Sequence, residues 1–233
     1  MQGLLGVLMM AVFSQLGSAG KIRLGFFVTS KEAAAYEKFS KHYSWDTLVN
    51  SLKTVTKDKL QTALSKKSSF PYDMEIEVTM VEVVDSKFSD PWIERTGKNY
   101  FTGVIDFCKY AKQRGSFDIG VLVFGTEEGK AYRPPFGFTM NSEACSERNM
   151  NCIHIYGQFQ KLYRKEVLWY RLLAHEIGHQ MGAKEGTRNK MDPCYDVMSG
   201  TPWRLKEPSL WKSCSKKRIE EVAGLGKLKC LKV

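Results

Sequence analysis

Histidine is scarce in this 233-residue chain: there are four, His42, His154, His175 and His179. A metal centre built on imidazole therefore has few donors to draw on. Acidic residues are also in deficit, with 25 Asp+Glu against 35 Lys+Arg, so the net charge is +10 and the surface is basic. Beyond residue 20 no apolar run approaches the roughly 20 residues needed to span a bilayer. The paired C-x-x-C spacings of a zinc ribbon are missing, as are internal repeats, low-complexity linkers and Asn-x-Ser/Thr acceptor sites. With 43% hydrophobic, 26% charged and 12% aromatic residues, collagenous and disordered classes are excluded. The length is enough for one sizeable core or two small ones.

The first twenty residues contain no charged side chain. An apolar stretch from Leu4 to Phe13 runs into Ser14-Gln15-Leu16-Gly17-Ser18-Ala19-Gly20, small residues that read as the end of a secretory signal peptide. Residues 1–20 are therefore expected to be removed after Ala19 or Gly20, which makes the mature chain, residues 21–233, secreted and extracellular. In an oxidising compartment an even cysteine count points to disulfides. Six cysteines (Cys108, Cys145, Cys152, Cys194, Cys214 and Cys230) predict three bridges, and spacing alone leaves fifteen pairings open.

Periodicity predicts alternating strands and helices. Residues 21–29 read as a strand, 45 to about 64 as a helix with Leu48, Leu52, Val55, Leu60 and Leu64 on one side, and 74–81 as a half-buried strand. Residues 100–113 read as a helix and 118–124 as a buried strand. After a Gly/Pro-rich loop over 125–137, residues 152–156 form another strand and 161–181 a long helix. From 182 onward the chain reads as loops with a short helix at 216–222. The expectation is one α/β domain, its N-terminal lobe reaching about residue 182 and a small irregular lobe covering 183–233.

Late in the long helix stands His175-Glu176-Ile177-Gly178-His179, an H-E-x-x-H. Histidines four apart share a helix face and can bind one metal ion, and Glu176 projects near enough to act on a water there. Gly182 follows, suited to a left-handed turn that ends the helix, then Glu185 three residues on. Tyr195-Asp196-Val197-Met198-Ser199-Gly200 next places a methionine in a tight turn. Helix, glycine turn, third ligand and methionine turn is the metzincin order.

On these residues, and on Ser213-Cys214-Ser215 followed by Ile219, the mature chain resembles secreted metzincins of the reprolysin (adamalysin) type, the catalytic unit of venom metalloproteases and of the ADAM and ADAMTS proteases. The resemblance implies a twisted, mostly parallel sheet with one antiparallel edge strand, packed on helices, with the H-E-x-x-H helix along the floor of a cleft. By chain order residues 152–156 would be that edge, against which a peptide adds as an extra strand; His154 on it faces cleft or core. It also implies a zinc endopeptidase acting on extracellular proteins or peptides, with Glu176 as general base and Met198 as an apolar floor under the metal. Residues 199–203 would wall the substrate pocket. The ADAMTS-like cysteine layout implies pairs Cys108–Cys152, Cys145–Cys230 and Cys194–Cys214.

The chain departs from that family where its third ligand is usually His. His42 and His154 are remote in sequence, so Glu185 completes the expected Zn2+ set with His175 and His179. The alternative is that Glu185 misses the metal and water takes its place. A gluzincin arrangement would instead draw its carboxylate from Glu207, Glu220 or Glu221, and would leave Met198 without a role. The first strand follows the signal peptide with no prodomain between, and Cys230-Leu231-Lys232-Val233 brings no carboxylate side chain, which leaves structural Ca2+ doubtful. A compact secreted form without accessory domains suggests a venom or salivary secretion acting as a monomer. A catalytically impaired binding protein or toxin on the same fold is the competing class. Lysine clusters at 57/59, 66/67, 216/217 and 227/229 offer weak binding to anionic glycans, and no nucleic-acid motif accompanies them.

Overall fold

The computed structural model describes residues 19–39, 44–85, 99–124, 137–139, 144–145, 151–156, 169–199 and 210–232. The expected signal peptide through residue 18, His42, residues 161–168, the pocket wall at 200–203 and Glu207 lie outside them. Strand β1 spans Gly20–Thr29 and is followed by helix α1, Ser30–Phe39. Helix α2 (Trp45–Ser51) passes through a π-helical turn at Leu52–Thr56 into α3 (Lys57–Ala63). Strand β2 is Met74–Val84, α4 is Asn99–Lys112, β3 is Ile119–Phe124, β4 is Gly137–Thr139 and β5 is Cys152–Tyr156. Helix α5, Trp169–Gln180, carries the H-E-x-x-H, and α6, Ser213–Gly224, lies near the C-terminus.

The five strands form one mixed sheet in the order β2-β1-β3-β5-β4. All pairs are parallel except β4 with β5. The alternation of side chains sorts the strands onto two covered faces. On one face Ile22, Leu24, Phe26, Val28, Val121, Val123, Ile153 and Ile155 join a core with Leu60, Leu173, Ile177 and Trp211. On the other, Phe27, Leu122 and Phe124 pack with Phe107 and Cys108 of α4. β3 therefore reads as an unbroken apolar run because both of its faces are buried.

One expectation is corrected. Residues 152–156 are an interior strand, parallel to β3 and antiparallel to β4, and the edge is β4, a three-residue strand that begins at the last residue of the Gly/Pro-rich loop read over 125–137. Cys152 faces one layer while Ile153 and Ile155 face the other, and with β3 paired on one edge and β4 on the other this strand has no free edge to offer. His154 is fully buried in the layer facing α4, its ring 5.2 Å from that of Phe107, on the sheet face opposite α5. Helix α1 was not anticipated by periodicity, and α6 runs a few residues beyond 216–222 at each end.

Three cysteine pairs close the fold, Cys108–Cys152, Cys145–Cys230 and Cys194–Cys214, each with Cα atoms 5.6 Å apart. Among the described residues no helix is long and apolar enough to cross a membrane.

Candidate metal centre

Helix α5 buries one stripe and presents another. Leu173, Ala174, Ile177 and Met181 sink into the core, which fixes the rotation of the helix and leaves His175 and His179 on its opposite side. Two residues past the end of the helix stands Gly182, whose φ of 97° is a conformation that side chains disfavour. The chain then doubles back, with the Ala183 amide donating to the Gly178 carbonyl at 2.9 Å. That reversal carries Glu185 to the two histidines.

The three donor atoms converge. His175 Nε2 and His179 Nε2 are 3.1 Å apart, and Glu185 Oε2 lies 3.4 Å from the first and 3.2 Å from the second. Ligands about 2.0–2.1 Å from one tetrahedral ion lie about 3.3 Å from one another. The observed triangle has those dimensions. Among the described residues this is the group able to hold a metal.

The other ring nitrogens say what the inner ones offer. His175 Nδ1 donates to the Val197 carbonyl at 2.8 Å, and His179 Nδ1 donates to the Ala183 carbonyl at 2.9 Å. A carbonyl only accepts, so the hydrogens of the neutral rings sit on Nδ1 and each Nε2 presents a lone pair. Two lone pairs and a carboxylate oxygen aimed at one point require positive charge between them. Burial alone would raise the Glu185 carboxyl, but positive charge at the histidine Nε2 edges, whether a proton or a cation, outweighs it and brings it down to about 2. The Glu185 side chain is 54% exposed against 8% and 11% for the histidines, so the cluster opens to solvent on the Glu185 side.

Glu176 is buried beside this cluster. Desolvation pushes its carboxyl well above the usual range, and the Glu185 charge pushes the same way. Its carboxylate occupies the space that a side chain on Gly137 of β4 would fill, so a Cβ there would collide with Oε1. Glu176 thus lies directly against the edge strand.

Below the helix, Met198 is fully buried. A Cβ on Gly178 would come within 2.5 Å of Met198 Sδ and 2.9 Å of Trp211, so glycine lets the turn and the indole press up against α5. Trp211 is held by its indole N–H donating to the Ala63 carbonyl at 2.8 Å. The Met198 carbonyl accepts from the Gly186 amide at 2.7 Å, which ties the methionine turn to the Glu185 loop.

Sequence reasoning missed Asp196. Its buried carboxylate accepts from the Met198 amide at 2.9 Å and the Lys212 amide at 3.0 Å, shaping the turn whose Val197 carbonyl orients His175. Burial raises its carboxyl, and those amides with the Ser215 hydroxyl hold it down in part. The signal was present as an acidic residue two before Met198, but only the fold reveals what it holds. Of the gluzincin candidates described, Glu221 pairs with Arg218 at 3.0 Å on α6, and both Glu220 and Glu221 are exposed there.

No family model and no curated protein matches the sequence. A solved structure described as a chaperone-substrate complex is similar at a TM-score of 0.53 and 12% identity. The match covers 90% of this chain, which spans 35% of that one. At that identity the likeness is one of fold.

Proposed function

We propose that the chain is a secreted zinc endopeptidase of the metzincin, reprolysin-like type, hydrolysing peptide bonds of extracellular proteins. The observation that carries the reading is the convergence of His175 Nε2, His179 Nε2 and Glu185 Oε2 at tetrahedral ligand spacing. A buried H-E-x-x-H glutamate against an antiparallel edge strand supports it, as do a sheet of the kind the resemblance implies and the three cysteine pairs.

The donor set fits zinc, since two imidazoles and a carboxylate are an accepted catalytic combination that leaves a fourth position open. Zinc there supplies Lewis acidity, toward the scissile carbonyl and toward water alike. Glu176 takes a proton from the attacking water at a carboxylate oxygen and returns it to the leaving amine. Burial and the Glu185 charge both raise its carboxyl, which favours its holding a proton taken from water. β4 pairs with β5 on one side only among the described residues, so its other edge has main-chain groups to pair with an extended peptide.

Zinc stoichiometry, together with chelator-sensitive cleavage of a denatured protein by wild type and Glu176→Ala, tests the reading. The expectation is about one zinc in both proteins, with cleavage reduced in the variant by at least 10²-fold. Stoichiometric zinc with no cleavage above the variant leaves the second reading, a metzincin-fold binding protein. Glu185 favours that reading, because its negative charge makes the ion a weaker Lewis acid than a third neutral histidine does.

A further inference from the structure

Gln180 is the residue after the second metal-ligating histidine, and it is fully buried. A buried primary amide is costly to desolvate, so its partners are informative. The Gln180 amide nitrogen donates to Thr139 Oγ1 on β4 and to the Cys152 carbonyl on β5, the latter at 3.2 Å. Thr139 Oγ1 in turn donates to the same Cys152 carbonyl at 2.7 Å. One side chain of the metal-binding helix therefore clamps the edge strand to its neighbour.

The spacing of these contacts matters. Glu176 and Gln180 are four apart and share a stripe of α5, about 6 Å from end to end. Gly137 and Thr139 are two apart on the same face of β4, separated by about 6.7 Å. The two rows meet in register: the Glu176 carboxylate lies over Gly137, and the Gln180 amide lies on Thr139. Phe138, between them, faces the opposite layer. A three-residue strand has few ladder bonds to hold its position, so the Gln180–Thr139 contact decides where β4 stands along the helix.

We propose that Gln180, acting through Thr139, is a positioning residue that sets the register of β4, and of a peptide laid along it, against Glu176. The inference rests on the peptidase reading. Its role is distinct from metal binding, since Gln180 holds none of the three donors. A displacement of about 1 Å between scissile carbonyl and general base can cost about 10²-fold in rate.

The test compares Gln180→Met, Thr139→Val and Thr139→Ser with wild type, using zinc content, kcat and KM on a fluorogenic peptide, and amide hydrogen exchange in β4. Zinc content is expected to stay at the wild-type value. For Gln180→Met and Thr139→Val, kcat is expected to fall at least tenfold, with KM changed less than threefold. Thr139→Ser, which keeps the hydroxyl, is expected to stay within twofold of wild type. β4 amides should exchange faster in Gln180→Met while α5 stays protected. If Gln180→Met fails to fold, the Val and Ser variants at position 139 carry the comparison. A kcat within twofold of wild type in both Gln180→Met and Thr139→Val, or a fall in kcat that matches lost zinc, overturns the proposal. Unchanged β4 exchange in Gln180→Met overturns it whatever the activity. A wild-type chain that binds zinc but cleaves nothing overturns the peptidase reading, and this inference with it.

Discussion

Glu185 is the residue on which the proposed chemistry turns. Two histidines alone form a weak site, and the carboxylate that joins them brings both a ligand and a negative charge. Glu185→Ala should therefore lower zinc affinity by about 10²-fold or more, measured by competition with a chelator, with the fold intact by circular dichroism. Glu185→His should raise kcat if the carboxylate limits Lewis acidity. His154 poses a different residue-scale question. Burial among aromatic rings lowers its pKa to about 3, against about 6.5 in the unfolded chain. Below pH 6.5 the unfolded state takes up a proton that the folded state refuses, so stability is full above that pH and declines as pH falls toward 3. Denaturant unfolding should show this group's contribution dropping by about 2 kcal/mol between pH 6.5 and 5. In His154→Phe that part of the pH dependence should vanish.

Helix α5 shows how an element serves two demands. Glycine at position 178 costs α5 about 1 kcal/mol in helix propensity relative to alanine. The methyl group of alanine would nevertheless strike Met198 Sδ and the Trp211 ring, and overpacking of that kind costs about 1–3 kcal/mol. Gly178→Ala should thus destabilise by about 0–2 kcal/mol net, seen as a denaturant midpoint that does not rise as the better helix propensity alone would make it, with unchanged slope. Elements with a sustained period were legible: β1, β2, β3, β5 and α4 fall within a few residues of their sequence-based bounds. β4 was not, because three residues hold barely one cycle of alternation and the strand exists only through its pairing with β5 and its seat on Gln180. That is also why residues 152–156 read as the edge. Side chains of one strand do not announce what lies beyond it.

Across the whole molecule the cysteine pairs fasten the C-terminal segment to the α/β layers. Cys145–Cys230 closes 85 residues and anchors the chain end, while Cys194–Cys214 joins the methionine-turn loop to α6 across 20. On chain entropy alone the longer loop contributes about 4–5 kcal/mol and the shorter about 3. Cys145→Ser with Cys230→Ser should lower the unfolding free energy by about that larger amount, which is checked by chemical denaturation under non-reducing conditions. The sequence by itself determined the donors and their order, H-E-x-x-H, glycine turn, Glu185 and Met198, because helical period and turn chemistry are local and leave their mark in spacing. Only the tertiary structure decided which carbonyls orient the two imidazoles, that Asp196 holds the turn, and which strand stands at the edge. Those are contacts between residues distant along the chain, made when layers pack, and no window of sequence contains both partners.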